Sequence, residues 1–261
     1  MKLLLRTVIV AVSVLVPRLA AADSILFTGT GAGASGVTLN ASALFNISGT
    51  TLTLKLSNLG DTSGGGQDVP GNTLSGLLFD LPNGFTLSPV SATITPGSLR
   101  QGNLCSIGPC TSSTTNVGGE FRYATSSSLP GGADRSIASA GYNGGTPNLN
   151  GPNLDDPASV DGINFGIIAP VGPSNPFIPN GGMLKPEIDG NVQFTMTVAG
   201  SRQLTAADFA NVSFQYGTSL SEARIPGGPG GPGPVPEPTT ALLTLSGAAV
   251  AVRRSILRRR K

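Results

Sequence analysis

The sequence predicts an all-β protein: a single antiparallel β-sandwich ectodomain, jelly-roll-like, followed by a C-terminal transmembrane helix. Three clean alternations carry the β prediction. Ala43, Phe45, Ile47, Leu52, Leu54 and Leu56 alternate with polar neighbours, as do Val192, Phe194, Met196 and Val198, and then Val212, Phe214 and Tyr216. Period two places one face of each stretch on a core and the other toward water. The second observation is punctuation: 37 glycines and 21 prolines in 261 residues break the chain into short pieces, while 39% apolar and 11% charged content argues for a packed core rather than low-complexity disorder.

In chain order, Lys2 and Arg6 precede an apolar run over 7–16, and Ala20-Ala21-Ala22 offers small residues for a cut before Asp23. Residues 1–22 therefore read as a secretory signal peptide. A short strand is expected over 24–27. The Gly-Ala-Ser run 28–36 has no large side chain to pack and reads as a loop or frayed edge; without a following Gly-Lys-Ser/Thr or a helix it is not a phosphate cradle. Residues 37–57 read as a hairpin turning at Ser48-Gly49-Thr50. After a glycine-rich loop over 60–71, strands are expected at 74–81 and 85–94, joined by Pro82-Asn83-Gly84.

Cys105 and Cys110 enclose Ser-Ile-Gly-Pro, and in an exported chain with two cysteines a local disulfide is the default. A metal site needs more ligands than two thiols, and a redox pair usually has two intervening residues. Short strands are expected at 120–124 and 135–140. The irregular stretch 143–162 contains a small echo, Pro147-Asn148-Leu149 and Pro152-Asn153-Leu154, and the acids Asp155, Asp156 and Asp161. Those oxygens form a weak calcium candidate whose spacing fits no calcium loop, so a solvated acidic loop is preferred. Strands follow at 163–169, 191–198 and 212–216, with Thr205 as N-cap of one helical turn ending near Asp208. The Pro/Gly-rich piece 225–234 reads as a linker without a core.

The targeting ends hold nine of the sixteen cations, leaving residues 23–234 with seven cations against thirteen acids, a net charge of −6. That balance gives no nucleic-acid footprint. There is no histidine, which excludes Ser-His-Asp and Cys-His nucleophiles and histidine-ligated metals, and no cofactor is expected. A hydrolase would have to use a carboxylate pair drawn from Glu120, Glu187 and Glu222, none of which sits in a motif. A lectin-like module would have to stack sugars on Tyr123, Tyr142 or Tyr216, since tryptophan is absent. The sequence thus favours a non-enzymatic protein, with a glycan-binding module as alternative and a polysaccharide-active hydrolase behind it.

Residues 235–261 are the most specific part. Pro236-Glu237-Pro238 abuts an apolar segment over 239–252, and Arg253, Arg254, Arg258, Arg259, Arg260 and Lys261 close the chain. Six cations beyond an apolar run resist translocation and stop that end in the cytoplasm. Fourteen residues make a helix of roughly 21 Å, short of a core of roughly 30 Å, but snorkelling of Arg253 and Arg254 lets 255–257 extend it to roughly 28 Å. This tail resembles the PEP-CTERM sorting signal of bacterial surface proteins, and the run 211–222 is similar to the closing strand of some of them. The resemblance implies recognition and cleavage by an exosortase, a membrane protease/transpeptidase. It further implies transient residence in the inner membrane of a Gram-negative-type envelope, then display at the cell surface or in a biofilm matrix alongside exopolysaccharide. The expected organisation is signal peptide 1–22, ectodomain 23–224, linker 225–234 and sorting tail 235–261.

Overall fold

The hairpin predicted around Gly49 forms the centre of the first of two β-sheets. Strands β1 (Asp23–Ala32), β2 (Thr38–Ser48) and β3 (Thr51–Asn58) run as an antiparallel meander. Gly49 takes φ +59° in the two-residue turn, a left-handed backbone that glycine adopts without a Cβ penalty. The computed structural model describes residues 23–33, 36–60, 70–95, 99–101, 116–139, 149, 151, 154, 166–169, 187–217 and 219–232. The remaining strands are β4 (Leu74–Asp80), β5 (Phe85–Ile94), β6 (Leu99–Gln101), β7 (Phe121–Thr125), β8 (Arg135–Ser139), β9 (Ile167–Ile168), β10 (Glu187–Asp189), β11 (Asn191–Gly200), β12 (Ala210–Tyr216), β13 (Arg224–Pro226) and β14 (Gly228–Pro232). One sheet has the order β14-β1-β2-β3-β11-β5; the other runs β13-β12-β4-β9-β10-β6, with β8 also on β4 and β7 on β8. Pairings are antiparallel except β9 with β10. Among the described residues helix is confined to short 3₁₀ turns.

Alternation does what the sequence pattern requires in the first sheet. Leu39, Ala41, Ala43, Phe45 and Ile47 of β2, Leu52, Leu54 and Leu56 of β3, and Val192, Phe194 and Met196 of β11 all point into one core. Leu77, Phe79, Phe214 and Tyr216 of the second sheet belong to the same core. Phe45 is its hub: its ring centroid lies 5.8 Å from Phe27, 5.4 Å from Phe79 and 4.2 Å from Phe209. Each such pair contributes about 0.5–1.5 kcal/mol beyond buried area. Burial also departs from simple alternation. Residues 212–216 are all buried, Gln215 included, because the turn after β12 folds back on it: Gln215 Nε2 donates to the Ser219 and Ala223 carbonyls at 3.3 and 3.4 Å.

Two expectations are corrected. The Gly-Ala-Ser run from Thr28 is strand as far as Ala32, not a loop, because the other sheet packs on its bare backbone. A Cβ on Gly29 would stand 2.8 Å from Phe214 Cδ2 and 2.9 Å from the Pro226 carbonyl, and one on Gly31 would stand 2.9 Å from Ile225 Cγ1. The glycines are the sockets for Phe214 and Ile225. The second correction concerns the 225–234 linker: Ile225 is buried in β13, and β14 pairs with β1, so the sheets extend through Pro232. Proline is tolerated there because both strands lie at sheet edges.

The echo at 147–154 also has a structural basis. Leu149 is buried with Leu78, Leu129, Ala133 and Ala138 on the outer side of the second sheet, and Leu154 enters the main core while its amide donates to the Phe121 and Gly118 carbonyls at 3.0 and 3.1 Å. Gly151 between them lies against the Tyr123 backbone with no room for a Cβ.

Candidate functional site

The residues singled out in the sequence as sites lie outside the described residues: Pro236, Glu237 and Pro238; Arg253, Arg254, Arg258, Arg259, Arg260 and Lys261; Cys105 and Cys110; and Asp155, Asp156 and Asp161. The signal peptide 1–22 and the apolar segment 239–252 do as well. Among the described residues no helix is long and apolar enough to cross a membrane, and no group of three or more Cys, Asp or Glu could hold a metal ion. Among the described residues the chemistry is carried by three polar clusters.

The first surrounds the predicted helical turn. Thr205 and Asp208 form a reciprocal capping box around residues 206–208, with the Thr205 amide and hydroxyl donating to Asp208 Oδ2 at 2.8 and 2.9 Å. Arg202 forks onto both Asp208 oxygens, Nη1 donating to Oδ2 at 2.8 Å and Nη2 to Oδ1, and its guanidinium stands 4.9 Å from the Phe85 ring centroid. The Arg202 hydrogen bond, then those from Thr205, hold the Asp208 carboxyl well below the usual carboxylate range against the opposing effect of burial. Asp23, the first residue of β1, accepts the Ala206 amide at 2.6 Å. This ties the start of the domain to the turn.

The second cluster joins the sheets from inside. Asn58 of β3 donates through Nδ2 to the Ile167 carbonyl at 2.9 Å and the Asn72 carbonyl at 3.1 Å, and its Oδ1 accepts the Gly60 amide at 3.1 Å. The Tyr216 hydroxyl donates to the Asn40 carbonyl at 3.0 Å. Burial raises the Tyr216 phenol far above its ordinary value. Its side chain is enclosed and engaged, so it offers no platform to a sugar.

The third cluster comes nearest to an array of catalytic residue types. Asp80 Oδ1 accepts the Asp134 amide at 2.8 Å, Asp134 Oδ1 accepts the Leu81 amide at 3.2 Å, and Arg135 Nη1 lies 3.1 Å from Asp134 Oδ2 while its Nη2 donates to the Phe85 carbonyl at 3.3 Å. Tyr123 is buried beside them, and burial pushes its phenol up to about 12 against the lowering charge of Arg135. A phenol so raised stays protonated at neutral pH and cannot serve as a base. Both carboxylates are occupied by main-chain donors that link the end of β4 to the start of β8, so the cluster is a corner brace.

The carboxylates considered for glycoside chemistry belong to separate elements of the chain. Glu120 ends a 3₁₀ turn and Glu187 opens β10. Glu222 Oε2 accepts the Ser219 amide at 2.7 Å and its carboxyl lies over Gly217, whose φ is +82°. It stitches a turn. Of the tyrosines, Tyr123 and Tyr216 are buried, and Tyr142 lies outside the described residues. Asn58 and Gln215 are among the buried polar residues that sequence reasoning missed; each sits at a position that period two assigns to the outer face or a strand end. Compared with protein-family models, curated proteins and solved structures, the chain finds no match.

Proposed function

We propose that this chain is an exported, non-catalytic surface or matrix protein, sorted at its C-terminal Pro236-Glu237-Pro238 motif by an exosortase and associated with exopolysaccharide. The observation that carries the reading is the order motif, apolar run, arginine cluster at residues 236–261. An export signal at one end and a stop at the other bring the motif to the outer boundary of the inner membrane. The two sheets act, in this reading, as the layers of one jelly-roll-like sandwich: the pairs β4 and β5, β11 and β12, and β13 and β14 each lie in different sheets, so the chain crosses between layers repeatedly. Burial of Tyr123 and Tyr216 supports a structural role over an aromatic lectin site. The raised phenol of Tyr123 and the main-chain partners of Asp80, Asp134 and Glu222 support the absence of catalysis.

The test is expression with and without a functional exosortase, followed by mass spectrometry of the C-terminal peptide. Loss of the Arg-rich end only with the enzyme, and its retention in Glu237→Ala, is the expected result. Persistence of that end in both strains overturns the sorting reading and leaves a simple membrane anchor.

A further inference from the structure

We infer that the outer face of the first sheet is a docking surface for neutral polysaccharide chains, held by rows of hydroxyl groups; the inference rests on the exopolysaccharide association proposed above and names the residues that make it. Alternation turns one side of β2, β3, β11 and β5 away from the core, and the register lines up those outward residues across the four strands. One row is Asn46, Thr53, Thr195 and Ser91. The next is Ser48, Thr51, Thr197 and Ser88. Strand geometry sets neighbours in a row about 4.8 Å apart and the two rows about 7 Å apart, over a width of about 14 Å.

Charge separates this face from an ordinary solvated one. The surface of a soluble domain carries charged side chains at about 25–35% of its positions. Here Lys55 is the one charged residue in β2, β3, β5 and β11, and the thirteen acids and six other cations of residues 23–234 lie elsewhere. A face without charge complements an uncharged partner and gives an acidic or basic one nothing to pair with. Sheets that pack face to face do so through apolar side chains, which these rows lack, so a second copy of the chain is a poor occupant. Hydrogen bonding then identifies the class. Thr53 Oγ1 donates to the Asn46 carbonyl and Thr197 Oγ1 to the Ser88 carbonyl, both at 3.3 Å, so these protons are directed into the sheet and the oxygens are left as acceptors. Asn46 Oδ1, in the same row, is an acceptor with no partner of its own. Uncharged acceptors in rows match a chain of hydroxyl donors. Threonine is stiff at χ1 and loses little freedom when covered. Without an aromatic platform each sugar is held weakly, so strength must come from many units of one polymer engaging the rows together.

The test measures binding of the full chain, in detergent micelles, to two neutral polymers, dextran and cellulose. Binding is expected to be the same at low and high salt, since no charge takes part, and glucose at equal mass concentration is expected not to compete. Thr53→Val with Thr195→Val keeps the β-branched shape and deletes two hydroxyls of one row, and binding is expected to weaken about tenfold. Ser88→Ala with Ser91→Ala, on β5, is the second pair should the first change the melting temperature. Ser127→Lys, exposed between β7 and β8, is the control and is expected to bind as the wild type does. Binding that disappears at high salt, or that keeps its full strength in both variant pairs, overturns the inference and leaves an exopolysaccharide association through another surface. If the wild type binds neither polymer, the inference and the association fail together, while the sorting reading is decided separately by the C-terminal peptide. A pair of substitutions that changes the oligomeric state in light scattering marks the face as a contact between copies and likewise overturns the inference.

Discussion

Replacing Gly29 by alanine should destabilise the protein although alanine is the better strand residue. In an open strand, the change would stabilise by about 0.5–1 kcal/mol, because glycine loses more backbone freedom on folding. At position 29 the new Cβ meets Phe214 Cδ2 at 2.8 Å, the Pro226 carbonyl at 2.9 Å and Phe214 Cε2 at 3.0 Å. Phe214 is fully buried and the carbonyl is main chain, so neither can swing aside. Overpacking of this kind costs about 1–3 kcal/mol. For a domain of this size each kcal/mol lowers Tm by about 2–4 °C, so the expected drop is about 2–12 °C. Two companions calibrate it. Gly31→Ala meets only the Ile225 side chain, nearest at 2.9 Å, and should cost less; Gly228→Ala meets nothing within 4 Å and should be neutral or slightly stabilising. The assay is thermal unfolding followed by far-UV circular dichroism. If Gly29→Ala melts at or above the wild-type temperature, the socket argument is wrong and the run 28–32 is as loose as its composition alone suggests.

Further outcomes follow from the polar clusters and the buried loop anchors. Asp208 has a folded-state pKa below its unfolded value, so its contribution is present above roughly pH 4 and is lost as pH falls through the lower folded value; Asp208→Asn should flatten the acid limb of a stability–pH curve. Thr205→Ala removes the hydroxyl half of the capping box and should cost about 1 kcal/mol in a urea melt. Tyr216→Phe leaves the Asn40 carbonyl without its phenolic donor and should cost about 1–2 kcal/mol by the same assay. Tyr123 and Tyr216 should remain protonated in a spectrophotometric titration through the ordinary tyrosine range. Stability should then fall as pH rises from about 10 toward 12, where the unfolded phenols ionise first. Cys105 and Cys110 should resist alkylation in protein purified without reductant, the short loop contributing about 2 kcal/mol at most.

The strands were legible where a residue's fate depends on its immediate neighbours. Leu52, Leu54 and Phe194 each sit between polar residues, and any sheet with a single buried face must turn them inward. The Gly49 and Gly84 turns were legible for the same local reason, since both need positive φ, and they have it at +59° and +95°. The glycines of β1 were not. Gly29 is a socket only because Phe214, 185 residues later, arrives over it, and nothing beside Gly29 records that arrival. Gln215 follows the same rule: period two assigns it to solvent, but the turn after β12 folds back on it, and its Nε2 donates to the Tyr216 carbonyl at 2.9 Å and to those of Ser219 and Ala223.

The proposed sorting tail stands at the opposite limit. On the reading proposed above its chemistry is linear: a charge count, an apolar length and a three-residue motif would act on a membrane and an enzyme without help from any distant part of the chain, so sequence suffices to propose it. The boundary between tail and domain does not share that property. Glycine and proline at 225–234 look like spacer composition, but Ile225 among them finds a bare glycine in β1 and becomes core, and β14 then falls beside β1 because β13 has been fixed one residue earlier. Spacer and strand are therefore written in the same residues.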